Sequence, residues 1–372
     1  MRIAVSRPRR CAVVGSMLAV AVSTTACGSS SSGGNGGSSG SSGAGAASAG
    51  AVGSQSSQPG QTKHLKIALF VEVANNSAVQ STITGVKKKA KELGATVDVF
   101  DPNFDPATQV NQMQSALLRH YDGWIVAAVS GEQVCDLVSK QAPAHKIPVA
   151  IVVEPVCGRS SADGAALWAP GTLTYVGGNE TPDAFRAVME HAVSENPGPR
   201  KVGVLTGPEG HPVTLAYDKA LKPFEAAHPQ FKVVSELRTD YSPPDSQKKA
   251  ETMLQAHPDI SVIMCVYSTM SKGVVAALQS AGRKPGAVKI YENGGTAWSV
   301  QQLKTGWVSS TTGYYRETSG EAAVQAIVDA HAGKTVPHVI LNDGHALLAG
   351  QQKGHVGLIT AKNATGYTAE SP

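Results

Sequence analysis

The chain has 372 residues, enough for about two domains, and carries 32 Lys and Arg residues against 28 Asp and Glu residues. The excess bases lie within residues 1–10, and residues 1–62 hold no acid. Because the remaining charges balance, the body of the chain lacks the basic surface that binds nucleic acid or anionic lipid, and we expect no nucleic-acid partner.

The N-terminus has the pattern of an export signal. A basic segment from Arg2 to Arg10 precedes an apolar run, residues 12–22, which is too short to span a bilayer as a helix. We therefore predict a signal peptide over residues 1–26. The pair Arg9-Arg10 leaves the export route open between the general and twin-arginine pathways.

A cysteine follows the apolar run. Thr24-Thr25-Ala26-Cys27-Gly28 resembles a bacterial lipobox, although Thr24 stands where that motif usually has Leu. The resemblance implies that Cys27 receives a diacylglycerol, which anchors the protein to the outer face of the cell membrane as its one membrane contact. Ordinary signal cleavage near Ala26 is the alternative.

The next segment, residues 27–62, predicts a lipid-anchored tether. From Gly28 to Gly60 the chain is almost entirely Gly, Ser and Ala, without charge or apolar periodicity, and it cannot bury a core. A flexible coil of ~35 residues has an r.m.s. reach of roughly 30–35 Å. Such a spacer suits a folded body held at a membrane surface.

From Leu65 onward, short apolar runs alternate with amphipathic stretches. The first half predicts strands at Leu65–Val71, Thr96–Phe100, Trp124–Val129 and Val149–Val153, and helices at Ala78–Leu93, Ala107–His120 and Glu132–Gln141. The second half predicts strands at Lys201–Thr206, Phe231–Arg238, Val262–Val266 and Val288–Tyr291, and helices at Val213–His228, Pro244–His257 and Met270–Ala281. A helix (Thr296–Lys304), a strand (Val308–Thr311) and a long helix (Arg316–Ala332) follow.

This alternation predicts an α/β fold with parallel strands and crossover helices. Two halves of the same design favour two similar open, mainly parallel, doubly wound sheets over one large sheet.

Several short motifs follow one another along this part of the chain. They are Lys66-Ile-Ala-Leu-Phe-Val, Asn75-Asn76, Lys91-Glu-Leu-Gly, Asp122-Gly-Trp-Ile-Val, Lys146-Ile-Pro-Val, Tyr175-Val-Gly-Gly-Asn, Phe224-Glu-Ala-Ala, Ala256-His-Pro-Asp-Ile and Ala276-Ala-Leu-Gln-Ser-Ala-Gly. Their order and spacing resemble the type I periplasmic binding proteins, most closely the ribose/galactose-binding branch, over residues 64–345.

The resemblance implies two lobes joined by a hinge of three chain crossings, with the ligand bound between them. Lobe I is expected at 63–175 plus 315–335, lobe II at 176–314 plus 336–360, and a C-terminal tail at 361–372. It also implies a monomer that delivers a small-molecule solute to the permease subunits of an ABC transporter.

The candidate ligand-binding residues follow from the strand ends. In open α/β sheets ligands lie beyond the carboxyl ends of the strands, and polar or aromatic side chains there can bind hydroxyls or stack on rings. Candidates of this kind include Glu72, His211 and Arg316. We predict six ligand-binding residues: Asn76, Glu154, Tyr267, Asn293, Trp298 and Tyr314.

The pocket departs from the sugar-binding pattern of the family. Glu154-Pro155 stands where that pattern has Asp-Arg, and Tyr267-Ser268 where it has Asn-Asp. Asn293 replaces an Asp, and Tyr314 replaces a Gln. These differences imply a ligand less hydroxylated than ribose or galactose, or one bound in a different pose.

Motifs for catalysis are lacking. The sequence has neither His-Glu-x-x-His nor Cys-x-x-Cys, and Ala332-Gly-Lys-Thr follows a helix and lacks the earlier glycine of a P-loop. We therefore expect no metal, no cofactor and no enzymatic activity.

Two of the five cysteines have a predicted structural role. Cys135 and Cys157 both fall near the carboxyl edge of lobe I, and exported proteins meet an oxidising compartment, so we predict that they form a disulfide. The alternative is two unrelated small residues. Cys265 lies inside a strand and is expected to be buried.

The sequence thus predicts an extracytoplasmic solute-binding lipoprotein of an ABC-type importer, which closes its lobes over a sugar or sugar-like solute. A ligand-sensing receptor on the same scaffold, signalling to a membrane kinase, is the alternative. An enzyme is a more distant one.

Overall fold

The computed structural model describes residues 64–341 and 357–372. The predicted signal peptide and the whole of the predicted tether, with Cys27, lie outside these residues. Within the described ranges, no helix has the length and apolar character needed to cross a membrane.

The described elements follow the predicted order closely. The strands are β1 Lys66–Phe70, β2 Thr96–Phe100, β3 Gly123–Val126, β4 Val149–Val152, β5 Thr174–Gly177, β6 Arg200–Thr206, β7 Phe231–Arg238, β8 Val262–Cys265, β9 Lys289–Glu292, β10 Ser310–Thr312, β11 Val339–Leu341 and β12 Leu358–Thr360. The helices are α1 Ser77–Glu92, α2 Pro106–Leu117, α3 Ala142–Ala144, α4 Pro182–Glu195, α5 Pro212–Ala227, α6 Pro243–Ala256, α7 Ser268–Ser280, α8 Ala297–Thr305 and α9 Arg316–His331.

These elements build two sheets of the same topology. The strand orders are β11-β5-β4-β3-β1-β2 and β12-β10-β9-β8-β6-β7. Neighbouring strands are parallel except β12, which runs antiparallel to β10. Helix α9 returns to the first sheet and packs on α1, β4 and β5. The predicted fold of two similar, mainly parallel α/β sheets is therefore confirmed.

One boundary between the lobes differs from the prediction. Residues 336–341 were expected in lobe II, yet β11 extends the sheet of lobe I, and Tyr175 N donates to His338 O over 2.9 Å. The pairing covers the edge of β5, whose backbone groups would otherwise lack partners. The chain then enters the second sheet as β12.

The last residues are not a free tail. Ala297 N donates to Ser371 O over 2.9 Å in lobe II, and Ser81 of lobe I donates its hydroxyl to Glu370 O over 2.8 Å. The C-terminal segment therefore contacts both lobes, which the tail predicted for 361–372 did not anticipate.

Helix starts are encoded locally. Asp105 and Ser242 cap α2 and α6 with their side chains, and a proline follows each cap as the first helical residue. The cap satisfies a free backbone N–H, and proline has no N–H to satisfy at that position.

The helix after β3 differs from the predicted Glu132–Gln141. A π-helical turn, Leu137–Gln141, leads into α3, and Ala142 N donates back to Leu137 O. Pro143 supplies no N–H to the α-helical pattern, which favours a shift of register at this point.

Candidate ligand-binding cleft

A cavity of about 710 Å³ lies where the carboxyl ends of the two sheets face each other. Lobe I lines it with the loops after β1, β2 and β4. Lobe II lines it with the loops after β6, β7, β8 and β9, and the crossing from β10 to α9 closes one side. The position follows the general rule for open parallel sheets.

Arg316 is the buried centre of this cleft. It begins α9 and is 4% exposed. Its guanidinium nitrogens lie 3.1 Å from Glu72 Oε1, 3.4 Å from Glu154 Oε1 and 3.8 Å from Glu180 Oε1. These carboxyl groups follow β1, β4 and β5. From its place at the second crossing, Arg316 therefore contacts three different loops.

Two tyrosines extend this cluster into lobe II. Arg316 Nε donates to the Tyr314 hydroxyl over 2.6 Å, and its guanidinium lies 5.0 Å from the centre of the Tyr314 ring. The hydroxyls of Tyr314 and Tyr267 both donate to Glu180. Because Glu180 lies at the first crossing and Tyr267 follows β8, this network spans the hinge.

The carboxyl groups differ in protonation. Burial disfavours the charged form of Glu72, but Arg316 and a hydrogen bond from Glu154 outweigh it and lower the pKa of Glu72. Burial and the negative charge of Glu72 raise the pKa of Glu154 well above its usual range. The two shifts favour the charged form of Glu72 beside Arg316 and the protonated form of Glu154.

A row of aromatic rings forms one wall of the cavity. Phe104, from the loop after β2, stacks on His211 of lobe II with ring centroids 5.6 Å apart. Tyr241 lies 5.3 Å from His211 and 5.3 Å from Tyr267 by the same measure. Tyr314 continues the row at 6.1 Å from Tyr267. The cleft thus offers flat apolar faces beside its charged cluster.

His211 is held neutral in this wall. Its Nδ1 lies 2.9 Å from the Tyr241 hydroxyl. Burial lowers the pKa of His211 to about 4, with Glu72 opposing and Arg316 assisting the shift. The imidazole that shares this hydrogen bond with the Tyr241 hydroxyl is therefore neutral near pH 7.

Four of the six predicted ligand-binding residues line the cavity: Asn76, Glu154, Tyr267 and Tyr314. Asn76 Oδ1 also caps α1 by accepting from Ala78 N over 2.9 Å. Recognition of a ligand by this side chain would therefore use its amide N–H donors.

Asn293 and Trp298, the other two residues predicted to bind the ligand, do not line this cavity. Asn293 is buried below the cavity, where its Oδ1 accepts from the Thr312 hydroxyl over 3.2 Å, and Gly294 forms the wall in its place. Trp298 lies on α8 against the core of lobe II, with the Lys272 ammonium 5.7 Å from its ring centre.

Sequence reasoning missed several residues of the cleft and of its carboxyl cluster. Glu180, Phe104 and Tyr241 were not among the candidates, although they follow β5, β2 and β7. The rule that selected Glu154 applies to all three. The signal was therefore present in their positions just beyond strand ends.

The structure joins Cys135 and Cys157 in a disulfide, with Cα atoms 4.9 Å apart. Cys157 N also donates to Gly131 O over 3.0 Å. These links fix the loop that follows Glu154, one of the cleft carboxyls. Cys265 is buried and unpaired.

In the described part of the chain, no group of three or more His, Cys, Asp or Glu side chains is arranged to hold a metal ion.

Several characterised proteins are similar to this chain. The ribose import binding protein RbsB of Bacillus subtilis (strain 168) is 24% identical over 282 residues, covering 76% of this chain and 86% of that protein. The D-allose-binding periplasmic protein of Escherichia coli (strain K12) is 26% identical over 268 residues, covering 68% and 80%.

Solved structures share the fold. A solute-binding protein of an ABC transporter from Bacillus halodurans C-125, with bound myo-inositol, aligns with a TM-score of 0.72 at 18% identity, covering 84% of this chain and 99% of that one. A solute-binding protein from Mycobacterium smegmatis with bound glycerol aligns with a TM-score of 0.69 at 20% identity, covering 83% and 99%.

Residues 67–335 match the family described as periplasmic binding protein domain, which is a family of binding proteins and not of enzymes. The match spans both lobes and includes the cleft residues from Glu72 to Arg316. With its two-sheet fold and its cavity between the lobes, this chain belongs to the periplasmic binding protein domain family.

Proposed function

We propose that this protein is the solute-binding component of an ABC-type importer and that it binds a sugar or a sugar-like polyol between its lobes. The cavity between the two sheets is the observation that carries the proposal. It combines charged hydrogen-bonding groups with aromatic faces, a combination suited to a hydroxylated ring. The relatives named for ribose and allose support this ligand class.

Closure of the lobes is the proposed mechanism. The ligand contacts residues of both lobes and stabilises the closed form through its higher affinity for that form. The stack of Phe104 on His211 joins the two lobes, and an opened cleft would loosen it. The closed form is then what the permease recognises.

Asn76, Glu154, Tyr267 and Tyr314 are the proposed ligand contacts, together with Arg316. Replacing Asn76 or Tyr267 by Ala should lower the affinity by about 1–3 kcal/mol, because buried hydrogen-bond partners are then lost. Asn111→Ala is a matched control, since Asn111 is exposed on α2 outside the cavity. Unchanged affinity in both cleft variants would place the ligand elsewhere.

A thermal-shift screen tests the ligand class. D-ribose, D-allose, myo-inositol and glycerol form one panel, and amino acids form the comparison panel. A ligand at 100 times its Kd should stabilise the protein by about 2.7 kcal/mol. Stabilisation by amino acids alone, or turnover of a solute in place of stoichiometric binding, would contradict the proposed function.

Membrane attachment through Cys27 completes the proposal. A lipid on Cys27, followed by the Gly/Ser tether, would hold a monomeric protein at the outer face of the cell membrane beside its permease. Cys27→Ser should release the protein into the soluble fraction. Continued partitioning of that variant into detergent would refute the anchor.

A further inference from the structure

The cleft holds more buried acid than the base beside it can neutralise. Three glutamates lie within 4 Å of the guanidinium of Arg316: Glu72, Glu154 and Glu180. Each of them is at most 3% exposed. Lys272 also lines the cavity, but its ammonium lies over the Trp298 ring and forms no ion pair with these carboxyls. Asp240 adds another acid to the wall.

Two buried carboxyl oxygens of this cluster accept no hydrogen bond from any residue other than a glutamate of the cluster itself in the described part of the chain. Glu72 and Glu154 line the cavity and are 3% and 1% exposed. Among the described residues, no N–H or hydroxyl group of another side chain or of the backbone donates to Oε2 of either one, and the hydrogen bond between Glu154 and Glu72 depends on the proton that they share. A buried carboxyl oxygen without a donor is costly, so a donor supplied by the ligand would be strongly favoured.

The kind of donor follows from the charge. Glu72 and Glu154 compete for one guanidinium, and without a second cation one of them must keep a proton. A sugar hydroxyl supplies a hydrogen bond but no charge. An ammonium group supplies three N–H donors together with a positive charge, and it can take the place of that proton.

The aromatic wall suits the same group. Arg316 already lies over the face of Tyr314, at 5.0 Å from the ring centre. Tyr267 and Phe104 line the same cavity. Aromatic faces in a desolvated site attract cations and at the same time cover the apolar side of a ring.

We propose that the ligand carries a protonated amino group seated against Glu72 and Glu154, which makes it an amino sugar or amino polyol in place of a neutral sugar. The inference rests on the proposed function, because it places the amino group on a sugar-like ligand.

Matched pairs of ligands test it on the unaltered protein. Calorimetric titrations compare D-glucosamine with D-glucose, D-galactosamine with D-galactose and D-mannosamine with D-mannose. We expect at least one amino sugar to bind ten or more times more tightly than its neutral parent. The N-acetylated form of that sugar keeps the nitrogen but loses the charge, and it should bind no more tightly than the parent.

Two variants locate the amino group. Glu72→Gln and Glu154→Gln keep the size of the side chain and remove one carboxylate. Each should weaken binding of the amino sugar at least ten times more than it weakens binding of the neutral parent sugar. Glu92→Gln is the control, since Glu92 is exposed on α1 beside Lys89, and it should leave both affinities unchanged. Thermal melts confirm that each variant is folded.

The outcomes separate this inference from the proposed function. Equal or tighter binding of the neutral sugars overturns the inference and leaves a sugar-binding protein. Binding of non-sugar amines alone, such as putrescine, overturns the sugar-like function and the amino-sugar assignment. If none of the three amino sugars and none of their neutral parents binds, the inference is overturned as well. This result comes from the unaltered protein, so it does not depend on whether the variants fold.

Discussion

Phe104 of lobe I stacks on His211 of lobe II, with ring centroids 5.6 Å apart and an angle of 14° between the ring planes. This contact joins the loop after β2 to the start of α5 across the cleft. It couples closure of the lobes to the burial of an imidazole.

Phe104→Ala should weaken closure. Loss of the stacked ring removes an apolar contact between the lobes, and we expect about a tenfold loss of affinity for the stabilising solute, or about 1.4 kcal/mol. Small-angle scattering should show a larger radius of gyration for the ligand-free variant than for the parent. Phe104→Leu keeps much of the apolar area, so its affinity should lie between those of the parent and of Phe104→Ala. Equal affinities in all three proteins would show that this contact does not contribute to closure.

His211 should make the folded state sensitive to acid. Its pKa is lowered from 6.5 to about 4 by burial, so the unfolded chain binds a proton in a range where the folded protein does not. The stability that depends on neutral His211 is complete above pH 6.5 and is lost as the pH falls toward 4. Relative to His211→Gln, the parent should lose about 2 kcal/mol of unfolding free energy between pH 7.5 and pH 5. Urea titrations at the two pH values measure this, and parallel changes in both proteins would contradict it.

Glu292 should act in the opposite direction. This carboxyl is fully buried at the end of β9, and burial raises its pKa from 4.5 to about 7 although the hydroxyls of Ser271, Ser299 and Thr311 lower it. Its stabilising form is the protonated one, so its contribution is complete below pH 4.5 and is lost as the pH rises through 7. Relative to Glu292→Gln, the parent should lose about 2 kcal/mol between pH 5 and pH 7.5. A pH-independent difference between the two proteins would refute a buried titrating carboxyl.

Gly85 should be required for the packing of lobe I. Helices α1 and α9 approach so closely that a Cβ at Gly85 would overlap the backbone oxygen of Glu317. Gly85→Ala should therefore destabilise the protein by about 1–3 kcal/mol, despite the higher helix propensity of Ala. Thr84→Ala, at the exposed neighbouring position of α1, should change stability by less than about 0.5 kcal/mol. A stabilised Gly85→Ala variant would mean that the helices separate without cost.

The Cys135–Cys157 bridge should be recovered chemically. A non-reduced digest of the exported protein should contain one peptide pair linked through these residues. Because the closed loop spans 22 residues, Cys157→Ser should lower the stability by roughly 3 kcal/mol in the chain-entropy estimate. Two separate alkylated peptides would exclude the bond.

The sequence by itself determined the order of helices and strands. Apolar periodicity and capping residues act over a few neighbours, so strands such as Thr96–Phe100 and Phe231–Arg238 were placed exactly where they occur. It did not predict β5 and α4, nor did it predict β11 and β12, which have three residues each and depend on their partner strands. The same limit applies to the ends of the chain, since residues 361–372 gain their contacts only when both lobes are present.

For the cleft, the position of a residue along the chain indicated whether it lies there. The sequence did not indicate which of these residues interact with each other. The strand-end rule selected Asn76, Glu154, Tyr267 and Tyr314 because parallel strands bring their carboxyl ends to one edge. Which of these groups meet was decided by the tertiary structure. Glu72, Glu154 and Arg316 are far apart in sequence, and they interact only because two sheets and a crossing place them within 4 Å. Electrostatic energy in a buried site depends on distance and burial, and neither exists until the chain has folded.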